Sequence, residues 1–474
     1  MRARSGSLST AARKFWGSST FAAAAGAALL LVGNPASAQA QAAGDPPALR
    51  LIKIIPINGT AGSPNTKLFS FDISWVDQGT GLYYLADRSN KALDVVDTTG
   101  AHTGTADTLF GQIGGAAFNF AGDTGSSGTS GPNGVTAGSS VGSTVNCVFA
   151  TDTGSPAAGR VVSINTNVSF VQKVGDVSTG GTHRADELAF DPKDSLLLVI
   201  NNADTPPFGT LISVNPTTCA LTVGTQISFT TIGATNGTEQ PVWDPGTQRF
   251  YVSIPEINGP GDGTGPNGGV ARITPSGVIE TVYPINFMQP AGLTLNPNTG
   301  DLLVGSNSVF DTSGKKCTAV VPSPNAAGNP AGAPATCTGI AFPQEAICNP
   351  PKGCTGNALV SVPGVGGGDE VWFNKGDGNY YVTAGNDPVG PVFGVVASVL
   401  GTSTNVLTQL VPTLPPVPAT NPATPPGHSA GTVHSVAASA ANNHVYVPLP
   451  ANTDYSDSSG NNCAQGCIAV FSAQ

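Results

Sequence analysis

Charge is scarce in this chain. Only 10% of its 474 residues are Asp, Glu, Lys or Arg, and histidine, methionine and tryptophan number five, two and four. Acid outnumbers base by 29 to 19, so nucleic acid and anionic lipid surfaces are poor partners. Helical spacing of apolar residues does not persist beyond the N-terminus, which excludes a helical fold. No later segment is long and apolar enough to span a bilayer. No cysteine pair carries the trailing His of a haem site, and none has the second pair that zinc needs. Glycine runs such as Gly366-Gly367-Gly368 open no helix, so no phosphate loop is implied. Asp262 to Gly265 lacks the full calcium-loop pattern. A G-x-S-x-G nucleophile elbow is not expected in the chain, which leaves serine-based hydrolysis without support. Haem, nucleotide and flavin are therefore not expected.

Turn formers are abundant instead. There are 61 glycines and 39 prolines beside 39% hydrophobic residues, a mixture that suits short strands joined by many turns. The N-terminus reads as a secretory signal over residues 1–38. Arg2, Arg4, Arg13 and Lys14 precede an apolar stretch from Phe21 to Val32, and Ala36-Ser37-Ala38 offers a cleavage site. Export to the periplasm or beyond the cell is expected, with no membrane anchor after cleavage. The mature chain would hold 15 basic and 29 acidic residues, a net of −14. A polar linker, 39–47, follows.

All eight cysteines lie after the signal, and export favours disulfides. Cys463 and Cys467 share one turn. Cys317, Cys337, Cys348 and Cys354 crowd one insertion. Cys147 and Cys219 fall in neighbouring repeats and could pair.

Seven stretches superimpose as strand, polar turn, strand. With the turn residue as anchor they align on Asp77, Gly138, Asp191, Asp244, Asn296, Asn374 and Ser439, spaced 61, 53, 53, 52, 78 and 65 residues apart. A repeat near 50 residues with several strands per unit predicts a β-propeller. The expected fold is all-β: seven four-stranded antiparallel blades over residues 48–474. The segment ALRLIKIIPI at 48–57 has no partner in its own repeat. It predicts that Leu49 to Pro56 closes the ring as the outer strand of the last blade, leaving no free sheet edge at the seam. The long spacings mark an insertion at 311–356 in the fifth blade and a Pro-rich loop at 412–428 before the seventh.

The alignment also creates a chemical register. Five residues before the anchors stand Asp72, Asn133, Asp186, Glu239, Ala291, Asp369 and His434, and one residue later Ile73, Gly134, Glu187, Gln240, Gly292, Glu370 and Ser435. These positions begin the innermost strand of each blade, so their side chains are expected around one channel mouth. Strand-start carboxylates can equally cap backbone N–H groups. Two chemistries follow if they are functional. Oxygens of Asp72, Asn133, Asp186, Glu239 and Asp369 suit Ca2+ or another divalent metal. Alternatively, crowded carboxyls raise one another's pKa. Glu187, Glu239 or Glu370 would then be a general base, His434 or His183 its proton partner, and Arg184 the anion holder. The run His183-Arg184-Ala185-Asp186-Glu187 is the densest polar cluster in the chain. His102 and His444 read as structural or solvated.

The repeats DELAFDPKDSLLLVINN, AGLTLNPNTGDLLVGSN and NGVTAGSSVGSTVNCVFATD resemble the exported YncE-like (YVTN) and lactonase-like propellers, over residues 48 to 474. In that superfamily, gluconolactonase-like enzymes hold a divalent metal with Glu, Asn and Asp at the channel mouth. Seven-bladed lactonases place His, Glu and Arg there. The resemblance implies a lactonase-like hydrolase or isomerase of a small molecule. The long loops keep a second reading open: a non-catalytic propeller binding a protein, glycan or metal ion. Neither family set maps residue by residue onto this chain, so no substrate is carried over. The partner class is a small molecule or an extracytoplasmic protein, with oligomeric state left open.

Overall fold

The computed structural model describes residues 48–59, 67–154, 158–167, 172–318, 336–385, 387, 391–398, 405–413, 432–453 and 455–473. The expected signal (1–38), the linker, the middle of the 311–356 stretch and most of the Pro-rich loop lie outside them.

Each repeat folds as an antiparallel four-stranded blade. The first runs Ser74–Asp77, Leu82–Asp87, Ala92–Asp97 and Thr108–Gly114, from the inside outward. Its second strand, LYYLAD, is buried throughout, because both faces meet neighbouring blades. Fourth strands are peripheral and mostly half-buried or exposed, Leu221–Ser228 most of all. The seventh blade holds Ala437–Ala438, Val445–Leu449 and Cys467–Ala473, and its outer strand is Leu49–Pro56, paired antiparallel from Leu49↔Ala473 to Pro56↔Cys467. The closing strand thus lies where the sequence placed it.

Apolar cores show that the ring closes. One cluster fills each of the seven junctions between consecutive blades, including the seam where Tyr83 and Ile57 meet Tyr446 and Ile468. Each buried aromatic or aliphatic side chain there stabilises by roughly 1.5–3 kcal/mol. At the seam, Tyr446 donates to Asp107 at 2.5 Å and His444 Nδ1 lies 3.0 Å from the same carboxylate, so His444 is a structural residue.

The repeat anchors are hairpin turns. Asp77 accepts the Gly79 amide, Asp191 that of Lys193, Asp244 that of Gly246, Asn296 that of Asn298 and Asn374 that of Gly376. Each is an Asx-turn, which explains why Asp and Asn recur there. The second repeat differs: its hairpin is longer, and Ser140 accepts from Ser195 at 2.8 Å. Against the expectation that no G-x-S-x-G occurs, Gly138-Ser139-Ser140-Val141-Gly142 has those letters, but it runs from paired strand residues into a turn and opens no helix, so it is no nucleophile elbow.

In the fifth blade the third strand, Gln344–Cys348, lies inside the stretch read as an insertion. Its five residues are too short and too uniformly buried to show alternation. All eight cysteines are paired: Cys147–Cys219, Cys317–Cys337, Cys348–Cys354 and Cys463–Cys467. The first ties the second blade to the third. No helix among the described residues is long and apolar enough to cross a membrane.

Candidate functional site

The backbone confirms the register from which the site is built. The amides of Asp72, Asn133, Asp186 and Glu239 donate to the carbonyls of Ala86, Thr151, Ile200 and Ser253, the equivalent positions of their own second strands. Four consecutive blades therefore deliver these side chains to the same height of the channel. Gly134 and Gly292, one residue later, are sites of close approach. A Cβ on either would collide with the carbonyl oxygen of the next blade's ring residue, Asp186 or Asp369.

The side chains connect around the axis. His434 Nε2 lies 2.7 Å from Asp72 Oδ1, and its Nδ1 lies 3.2 Å from Asp369 Oδ2. Asn307 donates to Asp369 at 3.4 Å. On the other side, Arg88 pairs with Asp72 and donates from Nε to Asn133 Oδ1 at 2.9 Å. Asn133 passes the chain on, donating to the Ala185 carbonyl at 2.9 Å. Arg184 lies 3.4 Å from Asp72 and 2.7 Å from Asp186. Asn202 then donates to both Asp186 and Glu239. Polar contacts thus run from the fifth blade through the sixth, seventh, first, second and third to the fourth. The circuit stops beside Ala291, the one apolar member of the register.

A second layer lies one residue farther along the strands. Gln240 donates to Glu370 at 3.1 Å, from the fourth blade to the sixth. Glu187 sits against Glu370 from the third blade. Its Oε2 has no partner among the described residues. Below this layer the channel turns apolar.

The electrostatics separate the acids. Burial pushes the Asp72 carboxyl upward, but Arg88, the His434 bond and Arg184 overcome it and hold it well below the usual range. Burial opposes the His434 imidazolium, yet Asp369 and Asp72 outweigh it and raise its pKa. Asp186 is pushed up to about 6 by burial, with Arg184 opposing and Asp72 assisting. Glu187 and Glu370 are raised well above the ordinary value by burial first, and then by each other's neighbourhood of acids. Glu239 is raised by burial, Asp186 and Asp369. Burial lowers the Arg184 pKa, but Asp186 and Asp72 more than restore it, so the guanidinium stays charged.

Of the residues singled out from sequence, Asp72, Asn133, Arg184, Asp186, Glu239, Asp369 and His434 meet in the outer ring. Glu187 and Glu370 meet in the inner layer. His183 does not join either: its ring is about half exposed and lies 3.6 Å from Asp204. Three further polar residues, Arg88, Asn202 and Asn307, were not anticipated. Each stands 16 residues after its blade's ring position, just past the matching point of the second strand. Reading the repeat at that second register would have found them.

Among the proposed metal ligands, Asp72 and Asn133 already give oxygens to Arg88. No group of three or more His, Cys, Asp or Glu side chains among the described residues is spaced to hold a metal ion. Acceptor oxygens without donors do remain, at Asp186 Oδ1 and Asn202 Oδ1, and Arg184 Nε is an unpartnered donor.

Comparison with known proteins speaks for architecture. No family model matches the chain, and no curated protein matches it in sequence. Among solved structures, the hydrazine synthase of Kuenenia stuttgartiensis superimposes with a TM-score of 0.53 at 12% identity, covering 82% of this chain and 95% of that one. The RRP9 WD40 repeats give 0.49 at 10% identity, covering 91% and 99%. U3-55K gives 0.49 at 10%, covering 90% and 99%. At these identities similarity extends to the fold alone. The chain is an all-β propeller of seven four-stranded blades.

Proposed function

We propose that the ring is a small-molecule site in an exported propeller, and that it supports lactonase-like acid–base chemistry with Asp186 as the proton-transfer residue. The supporting observation is the pairing of Asp186 and Arg184. The carboxyl is buried, which pushes it up to about 6, has one oxygen without a donor among the described residues, and stands 2.7 Å from a charged guanidinium. A carboxyl poised near neutral pH can both take and return a proton. Asp186 as carboxylate would remove a proton from the attacking water. The carbonyl carbon gains the water oxygen, and Arg184 holds the resulting oxyanion. Collapse breaks the ring C–O bond, and the leaving alkoxide takes the proton back from Asp186. His434, with both nitrogens engaged by carboxylates, holds Asp72 and Asp369 in position rather than moving protons. The four disulfides fit an oxidising compartment.

The test is turnover of a panel of γ- and δ-lactones. The native chain should open at least one, and Asp186→Asn should lower kcat by about 10²–10⁴-fold while far-ultraviolet dichroism is unchanged. A panel left untouched, with and without added Ca2+, removes the reading.

The donorless oxygens Asp186 Oδ1 and Asn202 Oδ1 favour a second reading, a propeller whose mouth binds a divalent cation without catalysis. Asp186 and Asn202 would supply two of its oxygens, and the remaining coordination would come from water. Elemental analysis of the purified protein separates the two: stoichiometric metal with no lactone turnover supports the second.

A further inference from the structure

The innermost strands leave apolar surface uncovered. The second strand of the first blade is buried throughout. By contrast, Trp75, Val242, Thr294 and Trp372, each two residues before its turn anchor, are only partly buried, and so are Phe190 and Leu295 one position later. All six line one cavity of about 440 Å³, which runs along the strands from Glu187 and Gln240 toward the turns. Its outer end is bordered by the residues that follow the anchors, Gln78, Pro192, Pro245, Pro297 and Lys375. All but Pro192 are exposed, so the cavity opens on the face opposite the polar mouth.

Residue size shapes the space. Trp75 of the first blade and Trp372 of the sixth pack edge to face at 5.0 Å. At the same strand position the second and third blades carry Thr136 and Ala189, whose short side chains leave open the room that further indoles would take. The volume is that of a small-molecule site with apolar walls, and indole walls favour a flat ring.

Charge sets the orientation. Lys375 is the single cation among the lining residues, and it makes no ion pair among the described residues. The acids of the surrounding hairpins, Asp77, Asp191, Asp244 and Asp377, turn back to donors within their own turns. The inner end carries the carboxyl of Glu187 and no cation, so an anionic group on a ligand faces outward.

We infer that this cavity binds an aromatic monocarboxylate, with its ring between the strands and its carboxylate at Lys375 on the rim. The site is separate from the polar mouth and does not rest on the chemistry proposed there.

The matched probes are 2-naphthylacetate and 2-(2-naphthyl)ethanol, which share one skeleton and differ in the carboxylate. Equilibrium dialysis against the native protein at low salt should show both binding, the acid about three- to fivefold more tightly, and added salt should shrink that preference. Lys375→Met, an exposed change that keeps the side chain's length, should bring the acid down to the alcohol and leave the alcohol unchanged. Val242→Trp should fill the cavity and weaken both probes at least tenfold. If that variant does not fold, Lys375→Met alone decides. Absence of binding by the native protein up to ~1 mM probe, equal affinity for the two probes, or a preference that survives Lys375→Met overturns the proposal, the last by placing the carboxylate elsewhere on the molecule.

Discussion

His434 of the seventh blade hydrogen-bonds Asp72 of the first at 2.7 Å, across 362 residues of sequence. The contact exists because both residues open the innermost strand of their blades, and ring closure makes the first and last blades neighbours. Leu49–Pro56 secures that closure by pairing along Cys467–Ala473. A local pattern repeated seven times therefore becomes a site only through a long-range strand exchange.

Close approach between blades holds the ring residues in place. Gly134→Ala and Gly292→Ala should each destabilise by roughly 1–3 kcal/mol, because the new methyl collides with the Asp186 or Asp369 carbonyl. Gly111→Ala, which meets nothing within 4 Å, is the control and should be near neutral. Urea midpoints measure all three. Equal behaviour of the three variants would show that the blades are not packed this tightly.

A buried acid pair in the first blade should make stability depend on pH. Burial raises Asp87 to about 6 and, with Asp87 beside it, raises Asp94 well above its usual value of 3.8. The folded chain thus keeps protons that the unfolded chain releases. That stabilisation is complete below the unfolded value and is lost as pH rises through about 6. Asp94→Asn can still accept from Gln112, as Asp94 does at 2.7 Å. It should flatten the decline and stabilise by about 1–2 kcal/mol at pH ~8. An unchanged slope from pH ~4 to ~8 would mean the pair shares no proton.

The disulfides should differ in weight. Cys147–Cys219 closes 72 residues and joins two blades, whereas Cys463–Cys467 closes four. In the chain-entropy picture, replacing the first pair with alanines costs about 4 kcal/mol and the second about 2 kcal/mol. Guanidinium unfolding of the two double variants compares them, and the opposite ranking would point to a compact unfolded state that already holds the second and third blades together.

Much of the architecture was legible because a propeller repeats one hydrogen-bond pattern. Asp77, Asp191, Asp244, Asn296 and Asn374 recur as Asx-turns, and fixing them fixes Asp72, Asp186 and Glu239 five residues upstream. What escaped lies outside that register. Arg88, Asn202 and Asn307 come from the far end of the second strand, so they reach the mouth from a different element. Glu187 reads in sequence as a candidate general base at the same mouth as Asp186, but successive strand residues face different surroundings, and it belongs to the inner layer with Glu370. His183 precedes the innermost strand, where no strand geometry directs its ring inward, and it turns to Asp204 instead. Gln344–Cys348 was hidden because a five-residue buried strand between cysteine-rich turns carries no alternation to read.

Convergence of distant blades on one mouth is tested most directly by a double-mutant cycle on Asp72 and His434, read as unfolding free energy. Asp72→Asn, His434→Ala and the double variant should reveal a coupling of about 1–2 kcal/mol, since each single change strips a buried partner from the other. Additivity within about 0.3–0.5 kcal/mol would mean that the two side chains do not meet, and the assembled ring would be contradicted.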